Sequence, residues 1–116
     1  MNTKKRLEEF AEVTAWMSAF NWRAVKIKEL PFQKEGLVTA FYSVLNNTIY
    51  IAPDKSEAVF FGILVHEMYH AYQRYSMGLA KYLFQKTFCR RKLEDGAEDQ
   101  EENAIEWYHL NKYLNK

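Results

Sequence analysis

The stretch Ile63-Leu64-Val65-His66-Glu67-Met68-Tyr69-His70-Ala71-Tyr72-Gln73 decides the reading of this chain. Its centre is a His-Glu-x-x-His pattern, entered from an apolar run that includes Phe60, Phe61 and Ile63. Ser56 suits an N-cap and Gly78 a stop, so a long helix is predicted over about residues 57–76. Two His four residues apart share one helical face, and both imidazoles can then reach one metal ion. Glu67 projects toward the same cleft, placed to take a proton from water and pass it to a leaving amine. A metal ion lowers the pKa of bound water from about 15.7 toward about 7, which makes a nucleophile available at neutral pH. The plainer alternative is a His pair that only caps a core. The mid-helix setting behind an apolar run weighs against it.

On the N-terminal side, residues 3–20 carry apolar positions at helical spacing: Leu7, Phe10, Ala11, Thr14 and Met17, widened by Val13, Trp16 and Phe20. One helix is predicted there, with Thr3 as a possible N-cap. Val25 and Ile27 alternate with Lys26 and Lys28, which predicts a strand over about 22–30 that Pro31 ends. Residues 37–45 suit a second strand. Asn46-Asn47 suits a tight turn into a returning strand, Thr48–Ala52. Pro53-Asp54-Lys55-Ser56 breaks the sheet. On the C-terminal side, a helix is predicted over 79–92, a break at Glu94-Asp95-Gly96, and a last helix over 97–114, acidic at its start and ending near Lys112 and Lys116. Helix, three strands and then helices predict an α+β fold with a small, mostly antiparallel sheet.

The whole chain, 1–116, fits one domain. Lys+Arg 16 against Asp+Glu 15 leaves a net charge of +1, which argues against a binder of polyanions driven by bulk charge. One cysteine, Cys89, excludes an intrachain disulfide framework and a zinc site of several thiolates. It fits a reducing compartment, is expected to be a small buried hydrophobe, and agrees with a soluble, cytoplasmic chain. Glu8, Glu9 and Glu12 interrupt any signal-peptide core. No stretch approaches the roughly 18 apolar residues of a membrane span.

The segment Ile63–Gln73 resembles the active-site helix of the zincin metallopeptidases, and Asn47-Thr48-Ile49-Tyr50-Ile51 resembles the edge strand beside their cleft. The chain is similar to the small intracellular members, the SprT-like and ImmA/IrrE-like groups, over about residues 37–110. The resemblance implies a minimal zincin-like fold, one zinc ion on His66 and His70, Glu67 as general base and acid, and hydrolysis of a peptide or protein substrate. Substrate backbone would pair with an edge strand, 48–52 or 37–45. Two alternatives accompany it: a catalytically silent metal- or partner-binding module, and a DNA-associated protease.

A catalytic zinc usually takes three protein ligands. SprT-like proteins supply a third His soon after the helix, but no His lies between His70 and His109. Gluzincins supply a Glu from a later helix, often in Glu-x-x-Ala-Asp. Glu101-Glu102-Asn103-Ala104-Ile105 matches at Glu101 and Ala104 and departs at Ile105. Independently, Glu101 falls on the helical stripe of Ala97, Ala104 and Tyr108, where a carboxylate needs a partner. Glu98, Glu102 and His109 are the other candidates.

His109 could stabilise an oxyanion, although it follows the inward position Tyr108 and reads more plainly as a surface residue. Tyr69 and Tyr72 could line the cleft or pack the core. Lys81, Lys86, Arg90, Arg91 and Lys92 interleave with Tyr82, Phe84 and Phe88. Nucleic-acid contact is one reading of that run; a solvated amphipathic face is the plainer one.

Overall fold

The computed structural model describes residues 3–30, 40–52 and 56–114. Expectations resting on Pro31, residues 37–39 and 53–55, and the Lys112 and Lys116 side chains lie outside the described residues. The elements, in chain order, are α1 (Thr3–Glu12), α2 (Ala15–Ser18), a 3-10 turn (Trp22–Ala24), β1 (Lys26–Glu29), β2 (Ala40–Ser43), β3 (Thr48–Ile51), α3 (Glu57–Met77), α4 (Leu79–Phe88) and α5 (Arg90–Leu114). The fold is α+β, with five helices and a small mixed sheet.

The predicted 3–20 helix is two pieces. It breaks at Val13-Thr14, where two adjacent β-branched residues disfavour helix and Thr14 adopts an extended φ of −128°. The Ser18 hydroxyl donates to the Ala11 carbonyl (2.7 Å), satisfying an acceptor at the end of α1. Val13, placed on the apolar stripe by periodicity, is 68% exposed, while Met17 is wholly buried.

The strand order is β1-β3-β2. β2 and β3 pair antiparallel as a hairpin, but β1 pairs with β3 in parallel, so the mostly antiparallel expectation is corrected to a mixed sheet. Thr48–Ile51 is the central strand and not the edge. Ile49 and Ile51 have no exposure, and the most apolar strand takes the position covered on both sides. The edges are β1, rich in charge as edge strands tend to be, and β2. The turn spans four residues, 44–47, with Asn47 alone in the left-handed region (φ 51°). The Tyr42 hydroxyl donates to Asn47 Oδ1 at 2.6 Å and holds that turn to the strand.

α3 begins as predicted, with the Val59 amide donating to Ser56 Oγ (3.3 Å). It ends at Gly78, whose φ of 84° and ψ of 159° only glycine adopts readily. The predicted break at 94–96 does not occur. The break falls earlier, at Cys89, which is half-buried, and α5 runs unbroken through Gly96. Gly96 is a packing position: a Cβ there would stand 3.0 Å from the Tyr69 ring.

α3 and α5 pack antiparallel. The Tyr108 hydroxyl donates to Glu57 (2.7 Å) at one end, and Gln73 Nε2 donates to the Leu93 carbonyl (3.0 Å) at the other. Leu93, Ala97, Ala104 and Tyr108 form the buried stripe of α5. Gly62 permits the closest approach. A Cβ there would lie 2.5 Å from Ile105 Cγ1 and 3.3 Å from the Glu101 carbonyl oxygen. Overpacking costs about 1–3 kcal/mol and exceeds the helix-propensity gain of about 1 kcal/mol. Gly62→Ala is therefore expected to lower stability by about 1–2 kcal/mol, read as a lower midpoint in denaturant unfolding. An unchanged midpoint would show that the two helices do not meet this tightly.

Candidate metal centre

α3 lays His66, Glu67 and His70 along the side of the helix that faces β2, α4 and α5. Together with Tyr82, Leu93 and two carboxylates of α5 they line a cavity of about 550 Å³, within the range of small-molecule and substrate pockets. One nitrogen or oxygen from each of His66, Glu67 and His70 lies within 4.8 Å of the others, a group able to hold a metal ion. The two imidazole centroids are 5.1 Å apart.

Hydrogen bonding assigns the imidazole tautomers. Gln73 spends its NH₂ on the Leu93 carbonyl, so its Oε1 faces His70 Nδ1 (2.8 Å) and accepts the proton there. Glu101 Oε1 accepts from His66 Nδ1 at 2.8 Å. In the neutral imidazole that keeps this proton on Nδ1, Nε2 can ligate a metal, and the two Nε2 atoms converge. They meet the same carboxylate: Glu94 Oε2 lies 3.1 Å from His66 Nε2, and Glu94 Oε1 lies 3.1 Å from His70 Nε2. That carboxylate can accept from protonated Nε2 atoms or share a cation with neutral ones, and two imidazoles with a carboxylate form a donor set that fits a divalent metal. Burial lowers the His70 pKa and favours the neutral, ligating form.

Glu67 is 7% exposed, and its Oε2 is buried with no hydrogen-bond partner among the described residues. Burial pushes its carboxyl up to about 7; His66 pulls it down, and Glu94 and Glu101 push it further up.

The predicted site residues separate clearly. His66, Glu67, His70 and Glu101 converge on the cavity. Glu101 does so on the Nδ1 side of His66, away from the point where the Nε2 atoms meet. Glu98 and Glu102 are exposed, and Glu98 lies 3.6 Å from Arg91. His109 is exposed and stands outside the cavity. Tyr69 packs edge-on against Trp16 (4.9 Å between centroids) and backs onto Gly96, and it does not line the cavity. The basic run divides: Lys86 and Arg90 line the cavity, Arg91 pairs with Asp95 (2.8 Å), and Lys81 and Lys92 are exposed.

Glu94, Gln73 and Tyr82 were not singled out from sequence as site residues. A signal for Glu94 exists: Glu94-Asp95-Gly96-Ala97-Glu98 repeats the Glu-x-x-Ala spacing of Glu101–Ala104 and adds an acidic residue where Glu101 is followed by Ile105. The predicted break at 94–96 hid it. Gln73→Leu removes the acceptor that fixes His70, and zinc affinity is expected to fall about 10–100-fold, measured by competition with a chromogenic chelator. Unchanged affinity would mean that Gln73 does not orient the ring.

No protein-family model, curated protein or solved structure matches this chain. No helix among the described residues is long and apolar enough to cross a membrane.

Proposed function

We propose that this protein is a zinc-dependent peptidase of minimal zincin-like fold. The observation that carries the reading is the convergence of His66 Nε2, His70 Nε2 and Glu94 beside the buried Glu67, whose Oε2 has no hydrogen-bond partner among the described residues. Under this proposal His66, His70 and Glu94, rather than Glu101, hold one zinc ion, and Glu101 and Gln73 orient the two imidazoles through Nδ1. A bound zinc would supply Lewis acidity, lowering the pKa of water toward neutrality and polarising a carbonyl.

The chain's own residues do the rest. Glu67, held near neutral pKa, accepts a proton on its free Oε2 and returns it to the leaving amine. β2 is an edge strand, and Ala40, Phe41 and Tyr42 border the cavity, so an extended peptide would pair with the 40–43 backbone and pass over Glu67. Tyr82, kept as a neutral phenol by burial, offers an O–H donor in the same cavity.

Incubation with an unfolded protein substrate tests the reading. Cleavage should appear with zinc, stop on chelation and return on adding zinc back. Tight zinc binding with no cleavage of any unfolded substrate would favour a silent metal- or partner-binding module.

A further inference from the structure

Lys86 on α4 and Arg90 at the start of α5 line the same cavity as the His pair. Neither makes an ion pair among the described residues. The neighbouring cation, Arg91, takes the carboxylates of its own helix, Asp95 and Glu98. Glu94, four residues beyond Arg90 and its natural helical partner, turns to the two imidazoles instead. Glu101 turns to His66. Two like charges are thus left in a cleft whose α5 carboxylates, Glu94 and Glu101, are engaged by the imidazoles, an arrangement that an incoming anion relieves.

We propose that Lys86 and Arg90 form a carboxylate-binding subsite, and that the cleft selects acidic peptides. The selection rests on the peptidase reading for the peptide nature of the ligand, but it is testable by binding alone. The recognised group is a carboxylate, borne by an Asp or Glu side chain or by the peptide's C-terminus.

The test uses the full-length Glu67→Gln variant, with zinc and again after chelation, and rhodamine-labelled alanine-based peptides followed by fluorescence anisotropy. One pair carries Glu or Gln at internal positions; each is made with a free and an amidated C-terminus. Peptides with a carboxylate are expected to bind about tenfold or more tightly, with the difference shrinking as salt is added. Adding Lys86→Gln and Arg90→Gln should abolish the difference, and Lys86→Glu with Arg90→Glu should reverse it. A preference that survives amidation assigns the side chain; one that vanishes on amidation assigns the terminus. Equal binding of all four peptides, or a preference that the Lys86 and Arg90 variants do not move, overturns the proposal. Charge-selective binding by a wild-type protein that cleaves nothing would remove the peptidase reading and leave this one standing. Cleavage without charge preference would do the reverse.

Discussion

Glu67→Gln is expected to bind zinc as the wild-type chain does and to lose peptide hydrolysis, with kcat/KM falling by about 10²–10⁴. The substitution keeps the shape of the side chain and removes only its capacity to accept and return a proton. The position is sensitive because, among the described residues, Oε2 is buried with no hydrogen-bond partner. Burial and the nearby Glu94 and Glu101 carboxylates raise its proton affinity toward neutrality, where a general base that must also act as an acid works best. Zinc stoichiometry measured beside steady-state rates separates the two roles. A variant that cleaves as fast as wild type would sink the mechanism, and one that loses both zinc and activity would show that Glu67 is a ligand.

The second large effect contrasts two carboxylates on one helix. Glu94→Ala removes the group that faces both Nε2 atoms, and zinc affinity is expected to fall by more than about 100-fold, beyond the effect of an orienting partner. Glu101→Ala removes the acceptor on His66 Nδ1. It leaves all three proposed ligands, so the loss should stay within about 10–100-fold. The reverse ranking, by zinc titration of the two variants, would return the ligand role to Glu101. Equal and small losses in both would mean that the Glu94 contacts are an ion-pair network without a metal.

Much of the site helix was legible beforehand because its signals are local. Ser56 caps α3 through one hydrogen bond three residues away. Gly78 ends it through its own dihedral angles. The separation of His66 and His70 is a property of helical pitch. The N-terminal helix was misread for a related reason. Periodicity placed Val13 inward, yet the break at Val13-Thr14 turns it into solvent and brings Trp16 to Gln100 on α5, where its indole N–H donates at 2.9 Å. The strands were found but not their order. Alternation says which face of a strand is apolar, not which neighbour it pairs with, and so the central place of Thr48–Ile51 was not visible.

By itself, the sequence determined one His-Glu-x-x-His helix, with both imidazoles on one face and a carboxylate beside them, and a single thiol, Cys89. The sequence points to Glu101, on the stripe of Ala97, Ala104 and Tyr108, as the carboxylate facing the His pair. The contacts of Glu94 with both imidazoles, at the place of the expected break, come from tertiary structure alone. Gly96 lacks the Cβ that would meet Tyr69, so α5 continues through the expected break; Gly62 lets it close on α3. The antiparallel register that follows sets Glu94 against both Nε2 atoms and leaves Glu101 seven residues on, on the other side of the His66 ring.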